Sequence, residues 1–313
     1  MVVMADDAHL PGIAVLRLRR FRDRLGAPEE DVLAVEEPLE VRYLHRPVAT
    51  LMRTPGDDRD LALGYLYGEG WIDRLRDVGA LSTCGTGADR DSAPDGDPRR
   101  ARESDRRNVA DLIPSAAAAP PPDLRARAGT TSASCGVCGK RTIEEAMLLR
   151  PPPPVAAGGR APRMDGAGEG LRLAPELIAD LPRRLRERQD LFARTGALHA
   201  AGLFDPAGSL LAVREDIGRH NAVDKVVGHA FRLGMLPLRD VALQVSGRVS
   251  FEIVQKAYRA GIRVVCAVSG VSTLAVELAG AAGLTLVGFN RGGSFCVYTR
   301  EERILRKARD PAP

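Results

Sequence analysis

The sequence predicts an α/β fold, with a parallel or mixed sheet carrying helices on both faces, preceded by an N-terminal part made of a β-hairpin and a helix. Three observations carry this. Between residues 241 and 289 strand-like and helical patterns alternate as β-α-β-α-β, the order that builds a parallel sheet between helix layers. The run Val264-Val265-Cys266-Ala267-Val268 is apolar at every position, as a strand covered on both faces requires. Each of the three strand patterns ends in small polar residues, at Ser246-Gly247-Arg248, Ser269-Gly270 and Asn290-Arg291-Gly292-Gly293-Ser294.

Taken in order, residues 1–30 read as a tail with one short amphipathic strand near 15–21. Leu39, Val41 and Tyr43 alternate with polar neighbours, His45-Arg46-Pro47 turns the chain, and 48–52 returns as a second strand. Thr54-Pro55-Gly56-Asp57-Asp58 supplies a turn and N-cap residues for a helix over about 59–69, which Gly70 can end. Residues 88–122 shift to Asp, Arg, Pro and Ala and read as an exposed, disordered insert. A Pro- and Gly-rich linker follows at 151–170, so that 31–150 forms an N-terminal part and 171–313 a C-terminal α/β domain.

In that second part Pro175 suits the first turn of a helix with Leu177, Ile178 and Leu181 on its apolar face, and Pro182 should break or kink it. Asp205-Pro206-Ala207-Gly208 joins strands at 199–204 and 209–213 as a hairpin. A helix carrying Val223, Val226, Val227, Ala230 and Phe231 closes at Gly234. Strands at 241–245, 263–268 and 284–289 then alternate with helices at 249–260 and 273–282, which leaves Cys266 as a packed core thiol.

Composition narrows the function. At 313 residues and 44% hydrophobic the chain can bury a full core in one or two domains. A net charge of +4 is too small, and aromatics at 4% too few, to argue for nucleic acid. Asp6 and Asp7 stand where a secretion signal would be basic, and no run approaches the roughly 20 apolar residues that cross a bilayer. Five mostly unclustered cysteines fit a reducing cytoplasm.

The densest chemistry lies at 130–140, where Cys135-Gly136-Val137-Cys138-Gly139 places two thiols three positions apart with a glycine after each. No acidic side chain occurs between Leu124 and Ile143, while Arg125, Arg127, Lys140 and Arg141 do, and a short helical run begins at Thr142. Positive charge and a helix N-terminus favour thiolate over thiol, so reactive sulfur is expected on a mobile loop. Half of a zinc site is the alternative. Its closing ligands are missing, because Cys84 stands alone, Cys266 and Cys296 lie in apolar runs and no histidine pair has ligand spacing. No metal is expected.

Ligands of open α/β sheets bind at the carboxyl ends of the strands. There Ser246, Gly247, Arg248, Ser269, Gly270, Arg291, Gly292 and Gly293 offer small residues, free backbone N–H groups and two guanidinium groups, which suits an anionic ligand such as a nucleotide or phosphorylated cofactor. Neither a P-loop nor a GxGxxG fingerprint is present. His199, His220 and the cluster Arg214-Glu215-Asp216 stay open between catalysis and an ion-pair network.

Glu36-Glu37-Pro38-Leu39-Glu40, Met52-Arg53-Thr54-Pro55-Gly56-Asp57-Asp58, Cys135-Gly136-Val137-Cys138-Gly139, the stretch Arg214-Glu215-Asp216-Ile217-Gly218-Arg219-His220-Asn221-Ala222-Val223-Asp224-Lys225 and Ser246-Gly247-Arg248 together resemble the formate dehydrogenase accessory sulfurtransferases, the FdhD family. The resemblance covers most of the chain from about Asp31 to Thr299. It implies a cytidine-deaminase-like fold and a cytoplasmic homodimer that takes sulfur from a cysteine desulfurase. It further implies transfer to the molybdenum cofactor, bis-molybdopterin guanine dinucleotide, before that cofactor enters formate dehydrogenase. On the resemblance, Cys135 carries the persulfide and Phe289, Asn290, Arg291, Gly292, Gly293 and Ser294 contact the cofactor, while Cys138 stays open between attacking the persulfide and supporting the loop. Deaminase chemistry does not follow, since His199 is followed by Ala201 where the zinc deaminases carry Glu. A non-catalytic chaperone for the same cofactor is the rival reading.

Overall fold

The computed structural model describes residues 12–84, 108–118 and 171–305. The thiol loop at 130–140, the linker at 151–170 and most of the 88–122 stretch lie outside the described residues.

Three sheets are present among them. The first is a hairpin of β1 (Ile13–Arg22) and β2 (Arg24–Ala34), so the segment read as a tail with one strand is a paired ribbon. Its second strand carries Pro28, Glu29 and Glu30 and has no apolar alternation to betray it.

The second sheet has strand order β4-β3-β6-β5, from β3 (Glu37–Tyr43), β4 (Arg46–Arg53), β5 (Val78–Cys84) and β6 (Val109–Pro114). The hairpin of β3 and β4 is the one the alternation of Leu39, Val41 and Tyr43 predicts. The insert expectation fails at β6, an inner strand paired parallel to β3 and antiparallel to β5. Its Ala110 and Leu112 are fully buried, and the polar composition averaged over 88–122 hides this short apolar run. Arg53, itself buried, ties the strand's entry down: it donates to both carboxylate oxygens of Asp58 at 2.9 Å and to Asn108 Oδ1 at 2.8 Å. Helix α1 (Asp58–Gly68) follows β4, with Glu69 as its C-cap and Gly70 just beyond, whose φ of 75° a glycine adopts without strain. Its N-cap, Asp57, makes no side-chain cap bond, contrary to the capping role expected of this turn.

The third sheet, ordered β12-β11-β10-β9-β7-β8, is mixed. Its centre is the predicted alternation: β9 (Ala242–Val245), β10 (Val264–Ala267) and β11 (Thr285–Arg291) run parallel. Helices α5 (Phe251–Arg259) and α6 (Thr273–Ala281) connect them. The hairpin of β7 (His199–Phe204) and β8 (Leu210–Asp216) is added antiparallel on one side and β12 (Ser294–Thr299) on the other. Along β10 the side chains alternate between two cores: Val265 and Ala267 join one cluster, Val264 and Cys266 the other. The second cluster is covered by Ile178, Leu181 and Leu185 of α2 (Pro175–Arg186), so helices cover both faces as predicted. Burial pushes the Cys266 thiol up to about 12, which leaves it an inert core residue.

Helix α2 does not break at Pro182. A proline at that position cannot donate to the carbonyl four residues back, which is that of Ile178. The amide of Asn290 fills the gap, donating through Nδ2 to Ile178 O at 2.7 Å and to Gln244 Oε1 at 3.0 Å. A short helix, α3 (Asp190–Thr195), follows.

The larger core cluster runs from the four-stranded sheet through α1 and α4 (Arg219–Arg232) to the six-stranded sheet. At the α1–α4 crossing a Cβ on Gly64 would sit 1.8 Å from Asp224 O, and one on Gly228 1.8 Å from Asp60 O. The two helix backbones meet through these glycines.

Candidate functional site

The loops after β9 and β10 lie side by side at the carboxyl edge of the sheet. Val249 N donates to Gly270 O and Ser272 N to Val249 O, both at 3.1 Å, which fixes the two loops to one another. Ser250 and Ser272 are the N-cap residues of α5 and α6; Ser272 Oγ accepts from Ala275 N at 3.2 Å, while Ser250 makes no side-chain cap bond. Both helices therefore begin at this edge and direct their first N–H groups and positive dipole ends toward it.

The third strand end differs from the expectation. Arg291-Gly292-Gly293-Ser294 is a hairpin turn into β12, with φ of 60° and 79° at the two glycines, and no helix starts there. These positive angles are what a tight two-residue hairpin turn demands. Phe289 takes φ 51° and donates its N–H to Ser269 O at 3.0 Å. A Cβ on Gly270 would lie 3.3 Å from the Phe289 ring, so the ring rests against that glycine. The guanidinium of Arg291 lies 5.5 Å from the ring centroid, within cation–π range. Phe289 and Arg291 are exposed, but Asn290 between them is fully buried. Of the six residues read as one cofactor-contacting stretch, Asn290 faces α2 instead. Ser294 Oγ donates back to Arg291 O at 3.3 Å.

The antiparallel β7 begins at this edge, and so does α4. His199, the first residue of β7, pairs in register with Asp216, and its Nδ1 lies 3.5 Å from Ser246 Oγ, which in turn accepts from Ala200 N at 2.9 Å. A Cβ on Gly247 would stand 3.2 Å from His199 Nδ1 and 3.6 Å from Arg219 Cδ. Gly247, His199 and Arg219 are thus mutual neighbours. Burial, then Arg219 and Arg248, hold His199 below the ordinary imidazole pKa, so the ring is neutral at pH 7. His220 Nε2 lies 3.0 Å from Ser250 Oγ and 3.1 Å from Glu252 Oε2. Burial, followed by Arg219, Lys256 and His199, lowers His220 to about 3, so the ring is neutral and its approach to Glu252 is not an ion pair. Both partners share one ring nitrogen, which is not the relay geometry of a catalytic triad.

The cluster 214–216 resolves into an ion-pair and capping network. Asp216 accepts from Lys225 Nζ at 2.8 Å, Asn221 Nδ2 at 2.9 Å, Gly218 N at 2.8 Å and Thr54 N at 3.2 Å. Glu215 accepts from Leu191 N and Phe192 N at the start of α3. Arg214 donates to Asp60 Oδ2 at 2.8 Å. These residues lock the start of α4 against the 53–58 turn and thereby hold Arg219 and His220 at the edge. Sequence reading leaves Arg219 open beside this cluster and does not place it at the strand-end edge. The available signal was the hairpin, since an antiparallel β7 has to begin where the parallel strands end.

Cys135 and Cys138 lie outside the described residues. Among the described residues no helix is long and apolar enough to cross a membrane.

Comparison with known proteins places this geometry. The FdhD/NarQ family profile matches residues 34–305. A protein of Streptomyces avermitilis named sulfur carrier protein FdhD is 44% identical over 289 residues, covering 92% of this chain and 94% of that one. One of the same name from Sulfurisphaera tokodaii is 36% identical over 293 residues, covering 93% of this chain and 98% of that one. A crystal structure from Desulfotalea psychrophila, provisionally described as a formate dehydrogenase accessory protein, superposes with a TM-score of 0.67 at 22% identity, over 94% of this chain and all of that one. That likeness shows the fold alone. With the profile spanning nearly all of the chain beyond the N-terminal hairpin, and with relatives this similar end to end, the chain belongs to the FdhD/NarQ family.

Proposed function

We propose that this protein is a sulfur carrier of the sulfurtransferase type. It accepts persulfide sulfur from a cysteine desulfurase and passes it to bis-molybdopterin guanine dinucleotide, bound as substrate, before that cofactor enters formate dehydrogenase. The observation that carries the proposal is the 44% identity, over nearly the whole chain, to proteins named sulfur carrier protein FdhD, in a sequence that holds the Cys135-Gly136-Val137-Cys138 pair. In the first step the Cys135 thiolate attacks the terminal sulfur of the desulfurase persulfide. A Cys135 S–S bond forms and the desulfurase cysteine leaves as thiolate. Cys138 is assigned to support release of that sulfur.

The strand-end edge suits a large anionic substrate. Phe289 offers a flat ring against Gly270 with Arg291 beside it, a platform on which a base can stack. Ser246, Gly247, Arg248, Ser269 and Gly270 surround helix N-termini, where phosphate is favoured. We assign the substrate to these residues together with Gly292, Gly293 and Ser294. The working unit is proposed to be a cytoplasmic homodimer.

The test is mass spectrometry of the protein after incubation with a desulfurase and cysteine. One added sulfur is expected on the peptide that contains Cys135, and its absence there removes the carrier reading. Replacing Cys135 by alanine should abolish formate dehydrogenase maturation in cells. Maturation that persists would favour a cofactor chaperone, whose ligand groups at the strand-end edge need no thiol.

A further inference from the structure

At the α4 end of the edge, away from the Phe289 hairpin, positive charge gathers without compensation. Arg219 Nε is buried and has no hydrogen-bond partner, although a buried guanidinium N–H ordinarily finds one. Among the described residues neither Arg219 nor Arg248 makes an ion pair. The one carboxylate that acts on His199 is Asp216, and its oxygens are already taken by Lys225, Asn221, Gly218 and Thr54. The groups facing His199 are therefore Arg219 and His220 of α4, Arg248 and Ser246 of the loop after β9, and the engaged Asp216 of β8. Lacking a side chain, Gly247 brings its backbone close to both His199 and Arg219, and a Cβ there would stand 3.2 Å from the ring nitrogen.

We propose that His199, Arg219 and Gly247 form a separate anion subsite, which takes a compact anion: a phosphate of the substrate, or the hydrosulfide expelled when the Cys138 thiolate attacks Cys135 Sγ of the persulfide, breaking its S–S bond and forming the Cys135–Cys138 disulfide. Gly247 follows β9 and Phe289 lies in β11, two strands away, so the subsites are roughly 10 Å apart by ordinary strand spacing. A flat ring held at Phe289 and an anion held at Arg219 then belong to one extended ligand. Ser246 Oγ, which accepts from Ala200 N, also lies 3.5 Å from His199 Nδ1, so the ring is held at the edge beside Arg219. The inference rests on the proposed function only for the identity of the anion.

The chain has five histidines, so the ring signals of the full-length protein labelled at histidine can be assigned by single substitutions such as His199→Gln. The midpoint of His199 is followed by NMR against pH with sodium chloride, inorganic phosphate, guanosine diphosphate or sodium hydrosulfide. An anion bound beside the ring stabilises imidazolium, so the midpoint should rise by about half a unit or more over the chloride control. Arg219→Gln should abolish that rise at unchanged thermal stability, and Arg219→Lys should restore part of it. A rise with hydrosulfide alone assigns the subsite to sulfur in transit, and a rise with phosphate or the nucleotide assigns it to the substrate's phosphate. No rise with any probe, or a rise that survives Arg219→Gln, overturns the subsite. This readout needs no sulfur transfer, so it can fail while Cys135 still acquires sulfur, and the reverse also holds.

Discussion

Asn290 shows how one side chain can belong to two elements. It closes the carbonyl that Pro182 leaves open in α2, and it does so from β11, next to the exposed Phe289. Asn290→Ala should cost about 2–3 kcal/mol, because the buried Ile178 carbonyl loses its donor. The cost should fall when Pro182→Ala is added, since residue 182 then has an N–H to give the same carbonyl. Urea unfolding of the two single variants and the double variant measures the coupling, expected at about 1 kcal/mol. Strict additivity would mean that the two residues do not share that carbonyl. The same residue marks a limit of sequence reading. Phe289 through Ser294 reads as one contact surface because the residues are contiguous, but side chains in a strand alternate between faces, and Asn290 turns inward between the exposed Phe289 and Arg291. The nearness of His199 to Arg219 was hidden for the opposite reason: they stand twenty residues apart and meet only after the hairpin folds.

Periodicity shows which segments are helices and not which helices touch. Helices α1 and α4 were both legible, while their crossing depends on Gly64 and Gly228, whose value appears only once the partner backbone is in place. Strand β6 was lost because its surroundings are polar. The α1–α4 crossing is also held by Asp60, which accepts from Arg232 Nε at 2.8 Å and from Arg214 Nη2 at 2.8 Å. Burial alone would raise the Asp60 carboxyl, but the guanidinium hydrogen bonds from Arg232 and Arg214 outweigh it and hold the group below the ordinary carboxylate pKa. A carboxylate depressed in the folded state stabilises the fold fully above its unfolded pKa of about 3.9, and that stabilisation is lost as pH falls through the folded value. Stability measured by urea should therefore decline below about pH 4 more steeply in the native sequence than in Asp60→Asn. At pH 7 the variant should be weaker by about 2–3 kcal/mol, because Arg232 loses the Asp60 carboxylate and Arg214 is left with Asp57, at 3.3 Å. Parallel pH curves for the two proteins would show that Asp60 contributes nothing through its charge.

The two large sheets share one core, and α1 against α4 joins them at backbone contact distance. The β-α-β alternation that builds the six-stranded sheet was readable because local signals and topology coincide there. The joint between the sheets was not, since it is made by residues more than 150 positions apart, such as Gly64 and Asp224. A shared core predicts cooperative unfolding. The single tryptophan, Trp71, is buried on the side of the four-stranded sheet with its ring centroid 5.3 Å from that of Tyr43, so its fluorescence reports that side alone, while far-UV circular dichroism averages all elements. In the native sequence the two signals should trace one urea transition. In Gly228→Ala the added methyl group meets the Asp60 carbonyl, and overpacking of about 1–3 kcal/mol or more exceeds the roughly 1 kcal/mol that alanine gains in a helix. The joint then weakens ahead of either sheet, so the Trp71 transition should move to lower urea than the circular dichroism transition. Two separated transitions already present in the native sequence, or a Gly228→Ala variant whose signals still coincide at the native midpoint, would show that the helix crossing does not couple the two halves.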